Sequence, residues 1–143
     1  MEWHGELYGD PAIGGEDPGQ GFDRYFDDER PARLVVADAG APVGMGGLFL
    51  RSPASAEVEP LVVVERFRAS GVGRALVEAL VEAARAKGVR RVVVRPTARN
   101  ASAIRFFHSA GFDVLGHVDL QLELTEAWSY EPRERLADRP FRV

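Results

Sequence analysis

Leu61-Val-Val-Val64-Glu-Arg-Phe-Arg68-Ala-Ser70-Gly71-Val72-Gly73-Arg74-Ala75 is the stretch on which the reading of this chain turns. Its first four residues are apolar and mostly β-branched, a run short enough for a buried strand. From Arg74 to Lys87 nearly every residue is a good helix former, and Gly88 stands where a helix commonly closes on a left-handed residue. A glycine-bearing turn between a strand and a helix start suits an anion. Glycines let the backbone approach closely, and the first helical amides point outward with the positive dipole end behind them. The spacing excludes two nucleotide sites: no Gly-Lys-Ser/Thr is present, and Gly71-Val72-Gly73 is too short for G-x-G-x-x-G. A phosphate-bearing ligand is therefore expected here.

Arg68-Ala-Ser-Gly71-Val72-Gly73 resembles the R-x-x-G-x-G turn of the GCN5-related N-acetyltransferases (the GNAT superfamily), which in that family holds the pyrophosphate of acetyl-CoA. Downstream, Asn100-Ala-Ser-Ala103-Ile-Arg-Phe-Phe107-His-Ser-Ala-Gly111-Phe112 resembles a second signature of the family, N-x-x-A-x-x-F-Y-x-x-x-G-F, at the expected distance. The resemblance spans roughly residues 57 to 116. It implies an α/β fold, a mixed and mostly antiparallel central sheet with one splayed parallel strand pair, flanked by helices. It also implies one acetyltransferase domain over residues 22–124, with a loop-rich segment, residues 1–21, before it and a tail, residues 125–143, after it.

At 143 residues the chain suits one domain with a core that needs no staples. The absence of cysteine excludes disulfides, a thiolate nucleophile and Cys-based metal sites. No apolar run approaches the ~18 residues that span a bilayer. Met1-Glu-Trp-His-Gly-Glu lacks the basic-then-apolar form of a secretory signal, so a cytoplasmic protein with no membrane partner is expected. Charge is uneven. Residues 1–31 carry nine acids against Arg24 and Arg30, whereas residues 32–143 carry sixteen bases against thirteen acids. A basic body suits a polyanionic ligand; the acidic segment either attracts a cationic amine or merely solvates a loop-rich terminus. Nucleic acid is not expected as a partner. Arg90, Arg91, Arg95, Arg99 and Arg105 lack interleaved exposed aromatics, and the net charge is −4.

Taken in order, residues 1–21 are dense in Gly and Pro, with a short strand expected near Trp3 to Tyr8. Phe22, Tyr25 and Phe26 have the spacing of one or two helical turns, which Pro31 stops. Against the family plan of a strand and two helices framing the acceptor, this part looks abbreviated. Residues 33–37 and 42–50 read as antiparallel strands, and Gly44, Gly46 and Gly47 in the second suggest a bulge or a close backbone approach. Residues 57–64 form the next strand, where Pro60 implies an edge, a strand start or a bulge. In the helix, Val72, Ala75, Leu76, Ala79, Leu80 and Ala83 form the expected inner face, broadened by Val77, Val81 and Ala84. Residues 89–95 read as a parallel strand after the crossover, residues 101–110 as a second helix, and 112–117 with 119–124 as a closing hairpin.

The resemblance implies direct attack of an amine on the acetyl thioester. Acetyl-CoA would be the co-substrate, no metal would take part, and the acceptor would be a small amine or a peptide N-terminus. Dimers are common in the family, which leaves a homodimer open. Amides of Ser70, Gly71, Val72, Gly73, Arg74 and Ala75 would cradle the pyrophosphate, with Arg68 and Arg74 supplying charge. Backbone groups of Val62, Val63 and Val64 would pair with pantetheine, and an N–H of Val63 or Val64 would face the developing oxyanion. The alternative role for these valines is core packing. Glu57 and Glu59 fall on one side of their strand by period two, and Glu59 is the candidate base, with His4, His108 and His117 as alternatives. Asn100 is a pantetheine or adenine contact or simply the helix N-cap; Ala103 and Phe107 face the pantetheine. Phe107 stands where the family commonly has the Tyr that protonates the departing sulfur. It has no hydroxyl to offer, which leaves water, Ser109 or a Tyr from elsewhere as the acid and opens a second reading, a CoA-binding module without efficient turnover.

Overall fold

The computed structural model describes residues 31–125 and 132–142. The strand expected near Trp3, the helical turns at Phe22–Glu29 and His4 lie outside them. The chain divides into two compact units, Met1–Arg95 and Pro96–Val143.

In the first unit four strands form one sheet: β1 (Pro31–Asp38), β2 (Pro42–Ser52), β3 (Ser55–Val63) and β4 (Arg91–Val93), in that order across the sheet. The first three are antiparallel and β4 runs parallel to β3, as the crossover through helix α1 (Val72–Ala86) requires. The β1–β2 corner is an Asx turn, with Gly40 N–H donating to Asp38 Oδ1 at 2.7 Å. Both readings of the β2 glycines hold. A Cβ on Gly46 would lie 2.7 Å from Leu80 Cδ1 and one on Gly44 3.1 Å from Leu76 Cδ1, so bare backbone there lets α1 settle onto the sheet. Gly47 faces a bulge in β3: Gly46 pairs with Leu61 and Leu48 with Val58, so that Glu59 and Pro60 oppose Gly47 alone.

The core is Leu48, Ala56 and Val58 of the sheet against Leu80 and Ala84 of α1. The helix is rotated from the expected face. Leu76, Val77, Leu80 and Ala84 are buried while Ala75 and Ala79 are exposed. Leu and Val bury far more apolar area than a methyl group, so they set the orientation. Gly88, at φ 73°, closes α1 with its N–H on Arg85 O and the Val89 N–H on Ala84 O, and Val89 packs on the core.

In the second unit Asn100 caps helix α2 (Ala101–Ser109), which ends in the same way at Gly111, φ 98°. Gly111 N–H bonds His108 O and Phe112 N–H bonds Phe107 O, both at 3.0 Å, and the rings of Phe107 and Phe112 meet edge to face at 5.6 Å. The Gly-Phe pair of the second signature is thus a helix terminator with its apolar clasp. The closing hairpin expected over 112–124 is not formed. Alternation decides which face a strand would bury, whereas the strand itself needs a hydrogen-bonding neighbour, and none pairs with this stretch among the described residues. Val114, Leu115, Val118, Leu120, Leu122 and Leu124 are exposed. A hairpin does occur in the tail, β5 (Pro132–Leu136) with β6 (Arg139–Arg142), turning through Ala137 and Asp138 at φ 48° and 60°.

Candidate active site

The site is built where β3 leaves β4. The two strands pair only at Ser55–Arg91, Ala56–Val92 and Glu57–Val93, while β3 stays paired with β2 as far as Val63. From Val58 to Val63 the β4 side of β3 therefore has no strand on it among the described residues. Val62, Val63 and Val64 are half-buried. Val64 N–H donates to Val43 O at 2.8 Å, which turns it towards β2 and commits it there. Alternation along the strand then directs the peptide groups of Val63 to the open edge. There Val63 O accepts Arg68 Nε at 3.2 Å. Of the two amides expected to face an oxyanion, Val63 has the suitable direction and Val64 does not.

Beyond Val64 the chain makes a tight turn over Glu65–Phe67, with Phe67 N–H on Val64 O and Arg68 N–H on Glu65 O. Ala69 and Gly71 both take positive φ, 58° and 91°, and the Ser70 hydroxyl donates to Phe67 O. These bonds fold the loop back on itself, so that Gly71 becomes the N-cap of α1. The helical ladder begins with Ala75 N–H on Gly71 O at 3.0 Å, and the amides of Val72 and Gly73 precede it. Among the described residues no side chain caps this end, and no acid stands in the first turn. Arg74 does, at the dipole end that favours an anion.

Glu57 and Glu59 both reach Arg51. Arg51 Nε lies 2.6 Å from Glu57 Oε2, and Arg51 Nη2 lies 3.3 Å from Glu59 Oε2. The other oxygen of Glu57 pairs with Arg95 Nη1. Burial alone would push the Glu57 carboxyl up. Hydrogen bonds from Arg95 and Arg51, together with their positive charge, outweigh that and hold it below its ordinary value. Glu57 is a fixed anion, whereas the side chain of Glu59 is half exposed. Sequence reasoning missed Arg51 and treated Arg95 only as surface charge. The signal for Arg51 was the tight β2–β3 corner at Ser52–Ser55, which brings the residues on either side of it together.

The remaining candidates lie in the second unit. Asn100 is the N-cap: its Oδ1 accepts the Ala103 N–H at 3.1 Å and the Ser102 hydroxyl at 3.0 Å. Ala103 and Phe107 are half-buried, and the Phe107 ring meets Phe106 at 5.1 Å as well as Phe112. The Ser109 hydroxyl donates to Phe106 O at 2.7 Å, and His108 and His117 are exposed.

Comparison with known proteins bears on this arrangement. The structure is similar to that of AAC(6')-Iy in complex with the bisubstrate analogue CoA-S-monomethyl-acetylneamine (TM-score 0.59, 19% identity, covering 76% of this chain and 78% of that one). A GNAT family acetyltransferase from Elizabethkingia anophelis with acetyl-CoA bound gives a TM-score of 0.58 at 18% identity, over 66% of this chain and 61% of that one. For glucosamine-6-phosphate N-acetyltransferase from Arabidopsis thaliana the values are 0.51 and 22%, over 75% and 78%. At such identities the likeness carries the fold. No curated protein sequence matches the chain. The model of the acetyltransferase (GNAT) family matches residues 2–112, a span that holds the splayed strands, the glycine turn and the second signature, and the chain belongs to that family.

Proposed function

We propose that this protein transfers the acetyl group of acetyl-CoA to a primary amine by direct attack on the thioester, within a domain covering residues 22–124. The observation that carries the reading is the strand edge at Val58–Val63, unpaired on the β4 side among the described residues, leading into a helix start whose Gly71 N-cap has no side chain and whose first turn has no acid. An extended pantetheine chain would pair with that edge as a strand does, while its pyrophosphate meets the turn from Ser70 to Ala75, with Arg68 and Arg74 supplying charge. Val63 would provide the backbone groups of the pairing, since Val62 shares the direction of Val64 towards β2. The N–H of Val63 would face the thioester oxygen as negative charge develops on it.

Glu59, half exposed on the same strand, would take a proton from the incoming ammonium, directly or through water. The amine nitrogen then bonds to the thioester carbon, the C–S bond breaks, and the nitrogen releases its second proton to water while water protonates the departing thiolate. The acceptor class is a small amine or a peptide N-terminus. Two similar structures support the amine, since one holds an acetylneamine analogue and another is named for glucosamine 6-phosphate. Asn100, Ala103 and Phe107 would contribute from the second signature. A second reading, a CoA-binding module without turnover, is favoured by one observation only: Phe107 presents a ring and no acid.

Calorimetric titration with acetyl-CoA, followed by thiol release with a panel of amines, tests both. Binding with turnover supports the transferase; binding without turnover supports the module. No binding would remove the turn at Gly71 from the site.

A further inference from the structure

We infer that Arg51 is a positioning residue for Glu59, holding the carboxylate at the bulge of β3 until the acceptor ammonium draws it away. This rests on the reading of Glu59 as the base. Three contacts fix Arg51 itself. Its Nε lies 2.6 Å from Glu57 Oε2, its guanidinium carbon stands 5.3 Å from the centre of the Phe49 ring, and its Nη2 reaches Glu59. The first two partners do not move readily. Phe49 is buried, and so is Glu57, which is held from its other side by Arg95. The third contact is the longest, 3.3 Å, and its carboxylate is half exposed.

Two breaks in strand register bring Arg51 and Glu59 together. Leu50 pairs with Ala56 and Ser52 with Ser55, so Arg51 is the extra residue on β2. Glu59 and Pro60 are the two that oppose Gly47 on β3. A bulge re-aims the side chain it carries, and here two of them aim at one another across a single strand pair. The result is a row of alternating charge, Arg95, Glu57, Arg51, Glu59, anchored at its buried member. A guanidinium held firmly at one edge and weakly at the other acts as a rest for the weakly held carboxylate. When an ammonium draws the Glu59 carboxylate from Arg51, Arg51 stays on Glu57. Because a misplacement of about 1 Å in a reacting group can cost about a hundredfold in rate, such a rest has kinetic value.

The test is a double-mutant cycle of Arg51→Met and Glu59→Gln, run with acetyl-CoA and neamine, glucosamine 6-phosphate or an alanine tripeptide as probe acceptors. Methionine keeps the apolar stem, and Arg95 remains on Glu57. Arg51→Met is expected to lower kcat between about tenfold and a hundredfold with the KM for acetyl-CoA unchanged, Arg51→Lys to recover part of the loss, and the effect of Arg51→Met to vanish in the Glu59→Gln background. An equal loss in that background would show that Arg51 acts without Glu59 and would overturn the inference. Full activity in Glu59→Gln alone would instead remove Glu59 as base, and the inference with it. A readout free of turnover is the carboxyl 13C signal of Glu59. Arg51→Met is expected to shift it from its wild-type position, with Arg51→Lys between the two; an unchanged signal in Arg51→Met would overturn the inference whatever the acceptor.

Discussion

The carboxylate of Glu57 lies between the guanidinium groups of Arg51 and Arg95, at the last residue of β3 that pairs with β4. The clasp joins the strands at the point where they part. Its geometry explains how a sheet can stay closed below Glu57 and open above it: β4 is held by three residue pairs and by an ion pair just past its end.

Glu57→Gln is accordingly expected to cost about 2 kcal/mol of stability at neutral pH, in the range for a hydrogen bond to a charged group. The sign of the pH dependence follows from the lowered value of Glu57. A carboxyl depressed by folding stabilises above its unfolded value, near 4.5, and that contribution is lost as pH falls through the folded value. Thermal melts from pH 7 to pH 3 should show the wild-type protein losing stability below about pH 4.5, and the glutamine variant losing less. Parallel curves for the two proteins would contradict the clasp.

Gly47 makes the bulge possible. A Cβ there would lie 2.5 Å from the Glu59 carbonyl oxygen, a backbone atom that cannot swing aside. Gly47→Ala is expected to destabilise the protein by about 1–3 kcal/mol, as overpacking does, and to weaken acetyl-CoA binding by moving the strand edge. Gly40→Ala is the control. Nothing would touch its Cβ, so only the cost of its positive φ, about 1 kcal/mol, should appear, with binding intact. Melting temperatures and calorimetric affinities on both variants decide the matter.

At Gly71 sterics and electrostatics separate. An added Cβ meets nothing within 4 Å, so a side chain has room and pays only for φ 91°. Gly71→Ala should therefore lose about 1 kcal/mol of stability and fold normally. Gly71→Glu with Gly73→Glu places two carboxylates at the helix start and should abolish acetyl-CoA binding in a domain whose circular dichroism is unchanged. Retained affinity in that variant would place the pyrophosphate elsewhere.

What could be read from the sequence was local. The strand, the glycine turn, helix α1 and its Gly88 stop lie within one stretch, and each is decided by neighbours a few residues away. The same holds for α2, whose Asn100 cap and Gly111 end are written at its borders. The failures are non-local. Leu120, Leu122 and Leu124 alternate as a strand would, yet pairing depends on a partner that alternation does not name. The hairpin at 132–142 escaped notice because its turn uses Ala137 and Asp138 rather than glycine. Arg51 and Glu59 meet only because two bulges shift register, and a bulge of this kind leaves one faint trace in sequence, here Gly47 opposite Pro60.

Phe107 offers a ring and no hydroxyl. Its ring is held edge-on by Phe106 and Phe112, and the Phe112 contact is part of the helix-terminating motif, so the position of the ring is fixed by folding. A hydroxyl added at the end of that ring enlarges it by one atom and leaves both aromatic contacts in place. If thiolate departure limits the rate, Phe107→Tyr should raise kcat by about tenfold to a hundredfold, within the usual span for a positioned acid, and leave the affinity for acetyl-CoA unchanged. The gain should fade above about pH 10, where a tyrosine loses its proton. Equal kcat in the two proteins, at every pH, would mean that sulfur leaves without help and that proton removal from the amine is the slower step.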